Sequence, residues 1–182
     1  MFVFIRAIVC LLAVLWTVPV TAAPPEAGQT MPALTLPVPA DPAGHEMLGV
    51  QGRTSFTLAD LPGDLVFIEV IGVYCPQCVK QSPGFKTLFN RLNKGKTKGR
   101  VTMFALAAGG TDAEVRKLAS TGQYLFPIVS DPDYAAHKVL GEPLTPYTII
   151  CRPNGEIVYA HLGVIEDIDA LYQQIKDLLE KG

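Results

Sequence analysis

Two cysteines separated by two residues are the part of this sequence best suited to chemistry. The motif Cys75-Pro76-Gln77-Cys78 follows an apolar, strand-like run at 65–71 and precedes a run of helical character. The thiolate is the reactive form of cysteine, and a helix N-terminus stabilises negative charge. A cysteine pKa there falls from about 8.5 towards about 3.5–7.5. The pattern therefore predicts a redox dithiol at the start of a helix, which exchanges electrons with disulfides of other proteins.

Other uses of paired cysteines fit the sequence less well. A disulfide-stapled scaffold normally has an even number of cysteines spread along the chain, whereas Cys151 is the only other cysteine after the first 23 residues. A structural zinc site needs four ligands, and no second cysteine or histidine pair has suitable spacing. Haem attachment needs a histidine where Val79 stands. A permanent bridge between Cys75 and Cys78 stays open as an alternative, and Cys151 is expected to pack in the core.

Residues 1–23 have the layout of a secretory signal. Arg6 precedes an apolar stretch at 7–18, and the small residues at 20–22 suit cleavage after Ala22. An uncleaved N-terminal anchor is the alternative, although the apolar stretch is short for a membrane span. We expect a periplasmic or otherwise extracytoplasmic protein, with a membrane tether if the signal is uncleaved.

The length of the chain favours one globular domain, and its charge does not favour a nucleic-acid partner. The chain has 182 residues, of which 15 are basic and 17 acidic, for a net charge of −2. Its one basic cluster, at 91–100, is interrupted by glycine and asparagine and is typical of a solvated helix end and loop. This charge balance gives no support to nucleic-acid binding.

The order of predicted elements indicates an α/β fold. Residues 24–45 form a proline-rich tether or extended lead-in, and 46–182 form the domain, which begins with a hairpin from Met47 to Leu58. Strand–helix–strand units that end in a hairpin and a helix predict a mixed sheet flanked by helices. The strands are expected at 65–71, 101–107, 126–129, 147–151 and 157–161, and the helices at 75–93, 112–120, 132–140 and 168–180.

Over roughly residues 46–181 the sequence resembles the thioredoxin superfamily. Its cysteine pair follows a buried strand, Glu69 lies six residues before Cys75, and Pro83 lies eight residues after it. The pair Thr145-Pro146 opens the strand before the final hairpin, where the family places its cis-proline. The sequence is most similar to the exported group related to TlpA and ResA, whose N-terminal hairpin and helix–strand insertion, here at 107–140, it shares.

Three residues are expected to carry the reaction. Cys75 is the predicted nucleophile, because it is nearest the helix start and should be the more exposed thiol. Cys78 should face inward and resolve the mixed disulfide. Glu69 is a carboxylate in an apolar strand, so burial should raise its pKa and suit it to carry a proton to or from Cys78, as the resemblance also implies. The alternative for Glu69 is an edge position in water.

The residues around the motif are expected to bind the partner. Thr145 and Pro146 should form a tight loop beside the dithiol, and its backbone could pair with an extended substrate segment; an ordinary trans turn is the alternative. Pro76 is well tolerated in the first turn of a helix and removes a donor near Cys75. Tyr74 stands where the family usually has tryptophan, so it should influence partner choice.

The resemblance implies an exported thiol–disulfide oxidoreductase that acts as a reductase of specific proteins. Members of the group are often recharged by a membrane electron donor and serve processes such as cytochrome c maturation. No cofactor and no metal are expected. One alternative is a copper-binding module that uses the two thiols and a distant histidine such as His137. Another is a thiol peroxidase, although Ile68 and Gly72 occupy the proline and threonine positions of the peroxiredoxin motif.

Overall fold

The computed structural model describes residues 23–181 and shows a five-stranded mixed sheet with helices on both faces. The predicted signal at 1–23 lies outside the described residues except for Ala23. The strands are β1 (Leu36–Pro37), β2 (Ser55–Phe56), β3 (Leu65–Gly72), β4 (Val101–Ala108), β5 (Ile128–Asp131), β6 (Tyr147–Cys151) and β7 (Ile157–Leu162). The helices are α1 (Pro42–Leu48), α2 (Pro76–Leu92), α3 (Asp112–Ser120), α4 (Ala135–Val139) and α5 (Ile168–Glu180).

Strand β3 lies at the centre of the sheet, whose spatial order is β5-β4-β3-β6-β7. It pairs in parallel with β4 and antiparallel with β6. Successive side chains of a strand point to opposite faces, so a strand covered on both faces is apolar throughout. Val66 and Ile68 accordingly pack in one hydrophobic cluster, and Phe67 and Ile71 pack in the other, against α2 and α5. The mixed sheet predicted from the sequence is confirmed.

The proline-rich segment is an extended lead-in that packs on the sheet. Met31, Leu34 and Leu36 are buried in the cluster on the face opposite α2. The backbone N–H of Met31 donates to the carbonyl of Gly155, in the turn between β6 and β7. Strand β1 then pairs with β2 in a separate two-stranded sheet. The lead-in therefore covers one face of the central sheet.

The predicted hairpin from Met47 to Leu58 is wrong in its first strand. The N-terminal two-stranded sheet exists, but β2 pairs with β1, and Met47 lies in α1. Asp41 caps α1 by accepting a hydrogen bond from the backbone of Ala43, and Gly49 ends the helix with a left-handed φ of 68°. These capping signals are present in the sequence, but a helix of seven residues has too few turns to give a clear hydrophobic period.

Helix α2 accommodates Pro83 within its length. Proline has no N–H, so the carbonyl of Val79 loses its usual partner. The hydroxyl of Ser82 donates to that carbonyl at 3.0 Å. A side chain thus replaces the missing hydrogen bond, and the helix continues to Leu92. Within residues 23–181, no helix combines the length and apolar character that crossing a bilayer requires.

A leucine pair tests whether the lead-in belongs to the folded core. Leu36 is 1% exposed and Leu162 is 55% exposed. We expect Leu36→Ala to lower the free energy of unfolding by about 2–5 kcal/mol, because it opens a cavity in the core. The matched change Leu162→Ala should stay within about 0.5 kcal/mol. Urea denaturation measures both, and equal effects would contradict the packing of the lead-in.

Candidate active site

The dithiol lies where the central strand meets the following helix. Strand β3 ends at Gly72, and Cys75 is the N-cap of α2, with Pro76 in the first helical turn. Cys75 and Cys78 form a disulfide. The backbone N–H of Cys78 donates to Cys75 Sγ at 3.1 Å. A helix N-terminus presents free N–H groups and a partial positive charge, so this position favours a thiolate on Cys75 once the disulfide is reduced.

The two sulfurs differ in accessibility. Cys75 is half-buried, whereas Cys78 is 1% exposed and packs in the core beneath α2. An incoming sulfur can therefore reach Cys75 but not Cys78. This is the asymmetry that the sequence analysis expected for a nucleophile and a resolving thiol.

The loop that precedes β6 lies directly against the dithiol. Cys75 Sγ is 3.5 Å from the carbonyl oxygen of Thr145. The peptide bond between Thr145 and Pro146 is cis, and Pro146 is buried while Leu144 is 77% exposed. The structure thus brings together the cysteine motif and the Thr145-Pro146 pair, which are 70 residues apart in the chain.

Glu69 is fully buried in the middle of β3, so the alternative of an edge position in water is wrong. It shares a sheet face with Phe67 and Ile71, the face that packs against α2. Burial raises the pKa of Glu69 to about 8, against a smaller lowering by a hydrogen bond from Gln81. The carboxyl group is consequently mostly protonated at pH 7.

Gln81 and Tyr124 complete the surroundings of the buried acid. The amide nitrogen of Gln81 donates to Glu69 Oε1 at 3.0 Å. The phenol of Tyr124 donates to the carbonyl oxygen of Cys78 at 3.5 Å, and burial followed by the charge of Glu69 raises its pKa. The sequence analysis did not identify either residue. Gln81 lies three positions after Cys78 and so on the same side of α2, a spacing that could have indicated it.

Tyr74 connects the approach to the dithiol with the inserted helix α3. Its ring is 82% exposed, and its phenol donates to Glu114 Oε1 at 2.8 Å. Glu114 also forms a capping box with Thr111 at the start of α3. Hydrogen bonds from the side chain and backbone of Thr111, and then from Tyr74, lower the pKa of Glu114 to about 2. Glu114 is another residue that sequence reasoning missed, because its contact with Tyr74 spans 40 positions.

Cys151 and His137 are the remaining candidate residues, and neither forms a hydrogen bond with the dithiol. Cys151 is a free, buried thiol, and burial raises its pKa to about 12. His137, which the copper alternative named, has its Nε2 2.9 Å from the carbonyl oxygen of Pro143. Among residues 23–181, no group of three or more histidine, cysteine, aspartate or glutamate side chains is arranged to hold a metal ion.

Comparison with known families establishes where the chain belongs. Residues 26–175 match the Redoxin family over most of the sequence. The chain belongs to the Redoxin family. The family match and the similarity to ResA proteins identify it as a TlpA/ResA-like member of the thioredoxin superfamily. The resemblance noted from the sequence is confirmed.

One such relative of this Redoxin chain is the thiol-disulfide oxidoreductase ResA of Halalkalibacterium halodurans. The two are 29% identical over 126 residues, which cover 69% of this chain and 66% of the relative. The chain therefore spans slightly less than two thirds of the length of that relative.

Solved structures show the same fold. The thioredoxin domain of a thiol-disulfide oxidoreductase from Bacteroides vulgatus has a TM-score of 0.61 and 21% identity, and the match covers 84% of this chain and 96% of that one. StoA from Bacillus subtilis has a TM-score of 0.58 and 16% identity, with 83% and 99% covered. The Redoxin chain is thus thioredoxin-like in fold, as predicted.

The buried acid should make the stability of this Redoxin chain depend on pH. The folded protein holds the proton of Glu69 more tightly than the unfolded chain, because burial raises the pKa from 4.5 to about 8. Glu69 therefore lowers the free energy of unfolding progressively as pH rises through this interval. We expect Glu69→Gln to be more stable than the wild-type protein at pH 9 by up to roughly 5 kcal/mol, and nearly equal to it at pH 4.

Urea denaturation of the disulfide forms at several pH values measures this difference. Because both proteins share all other titratable groups, subtracting their curves isolates the contribution of Glu69. A difference that stays constant between pH 4 and 9 would show that the carboxyl group is not a buried acid with a raised pKa.

Proposed function

We infer that this protein is an exported thiol–disulfide oxidoreductase that exchanges disulfides with partner proteins through Cys75 and Cys78. The observation that supports this most directly is the pairing of an accessible Cys75 with a buried Cys78 at the N-terminus of α2. Membership of the Redoxin family and the activity named for the ResA relative support the same reaction.

In the proposed reaction the reduced protein attacks a partner disulfide. The thiolate of Cys75 bonds to one partner sulfur, the partner disulfide breaks, and the other partner sulfur leaves and takes up a proton. Cys78 then loses its proton and attacks Cys75 Sγ. The bond between Cys75 and the partner sulfur breaks, and that sulfur leaves and takes up a proton. Two electrons have passed to the partner, and the protein is left with the Cys75–Cys78 disulfide.

Glu69 has the proposed role of proton carrier for Cys78. It points to the α2 side of the sheet, and its hydrogen-bond donor Gln81 lies one turn after Cys78. In its carboxylate form Glu69 accepts the proton when Cys78 attacks. In its neutral form, which dominates below its pKa of about 8, it returns the proton when an electron donor opens the disulfide and Cys78 leaves.

The surface around Cys75 is the proposed contact area for partners. Tyr74 and Leu144 are strongly exposed, and Pro76 is exposed at the start of α2. Thr145 lies beside Cys75 Sγ, so an extended partner segment that pairs with its backbone would bring a disulfide to that sulfur. Pro146 holds this loop against the sheet from its buried position.

The proposed direction is reduction of specific proteins outside the cytoplasm. The layout of residues 1–23 supports export, by a cleaved signal or as an N-terminal anchor. The resemblance to the TlpA and ResA group supports recharging by a membrane electron donor and a role of the cytochrome c maturation type.

A trapping variant tests the roles of the two cysteines. Cys78→Ser cannot resolve the mixed disulfide, so we expect it to accumulate partners bound covalently to Cys75 in the exporting cell. Non-reducing electrophoresis and mass spectrometry identify these adducts. The matched Cys75→Ser variant keeps only the buried thiols of Cys78 and Cys151 and should capture none. Equal capture by both variants, or none by either, would contradict the proposed exchange.

The equilibrium potential of the Cys75–Cys78 pair tests the direction. If the protein is a reductase, its potential against a dithiothreitol or glutathione buffer should be about −270 mV. A potential of about −120 mV is that of a strong oxidant and would overturn the proposed direction, while leaving the exchange reaction intact.

A further inference from the structure

A buried glutamine connects the acid in the sheet with the loop before α5. Gln81 is 2% exposed, and both ends of its amide are used. Its nitrogen donates to Glu69 Oε1 at 3.0 Å, and its oxygen accepts the backbone N–H of Ile165 at 2.7 Å. A glutamine with both ends paired in the core has no freedom to rotate without losing hydrogen bonds.

The backbone of Ile165 determines which end of the amide faces Glu69. A backbone N–H can only donate, so the amide oxygen of Gln81 must face Ile165. The NH₂ group of Gln81 must then face Glu69. This order holds in both protonation states of Glu69, since a carboxylate oxygen and the carbonyl oxygen of a neutral acid both accept a hydrogen bond.

The amide in turn makes the two oxygens of Glu69 inequivalent. Oε1 accepts a hydrogen bond from the amide of Gln81. A proton bound to Oε1 would therefore lie beside the N–H of that amide, so that two donors would face each other. Oε2 is buried and has no hydrogen-bond partner among the side chains and backbone of residues 23–181. The proton of the neutral acid therefore belongs on Oε2.

We propose that Gln81 is a positioning residue that orients Glu69 and confines to Oε2 the proton that Glu69 exchanges with Cys78. This inference rests on the proposed function, which identifies Cys78 as the group that exchanges a proton with Glu69. The hydrogen bond also stabilises the charged form of Glu69, so Gln81 opposes the effect of burial and brings the pKa down towards neutral pH.

Other titratable groups around Glu69 can be told apart from it. Cys75, Cys78 and Tyr124 belong to the same core, with Tyr159 and Tyr172 at its edge, and His161 lies opposite Thr148, the cross-strand neighbour of Glu69. In the disulfide form the cysteines do not titrate, and tyrosines ordinarily titrate near pH 10. The carboxyl carbon signal assigned to Glu69 reports the protonation of that side chain, which separates it from the histidine.

The first experiment is an NMR titration of the wild-type protein in its disulfide form. The carboxyl carbon of Glu69 and the side-chain amide protons of Gln81 should shift with the same midpoint, because one hydrogen bond joins them. Gln81 signals that stay unchanged while Glu69 titrates would overturn the proposal. This measurement needs no partner and no variant, so it is independent of whether the protein exchanges disulfides.

The second experiment removes the donor. Gln81→Leu should raise the midpoint of Glu69 by about 1–2 pH units, as expected for loss of a hydrogen bond to a charged acceptor. The exposed Gln173→Leu change on α5 is the matched control and should leave the midpoint unchanged. An unaltered midpoint in Gln81→Leu would overturn the proposal.

The same variant has a kinetic signature. Reduction of the disulfide by dithiothreitol, expressed per dithiothreitol thiolate, should slow as Glu69 loses its proton, and Gln81→Leu should move this decline to higher pH by the same shift. In a Glu69→Gln background, Gln81→Leu should not move the profile. An equal shift in both backgrounds would show that Gln81 acts independently of Glu69, and would overturn the proposal.

Discussion

The burial of a carboxyl group in the central strand is the constraint on which this site depends. An unpaired charge in the core is costly, so Glu69 is stable there mainly as a neutral acid, and a single donor from Gln81 moderates that preference. The acid must therefore gain or lose a proton near neutral pH. Because β3 runs from Glu69 towards the start of α2, the same strand also delivers the dithiol to the end of the sheet.

The first turn of α2 separates the two sulfurs chemically. Cys75 is the half-buried N-cap, where free N–H groups of the helix favour negative charge. Cys78 is buried against the sheet face that also carries Glu69. In the proposed function, Cys75 meets the partner and Cys78 completes the exchange out of contact with water. The exposed ring of Tyr74 and its hydrogen bond to Glu114 extend this surface to the inserted helix α3.

Sequence patterns predicted most of the fold because its strands and longer helices have strong periodicity. The apolar run that became β3 and the amphipathic run that became α5 were both expected within a few residues of their observed ends. The short helix α1 was missed because seven residues give little periodicity, and its capping residue Asp41 lies in a proline-rich segment. The partner of β2 was missed because strand pairing depends on tertiary packing, not on the sequence of one strand.

The sequence by itself determined the cysteine pair, the acid before it and the Thr145-Pro146 pair, because these are encoded by residue type and by spacing along the chain. Only the tertiary structure decided which groups surround the acid. Gln81 meets Glu69 across 12 positions and Ile165 across 84, and Tyr74 meets Glu114 across 40. Such contacts leave no periodic signal in one sequence, because they arise only when separate elements pack against each other.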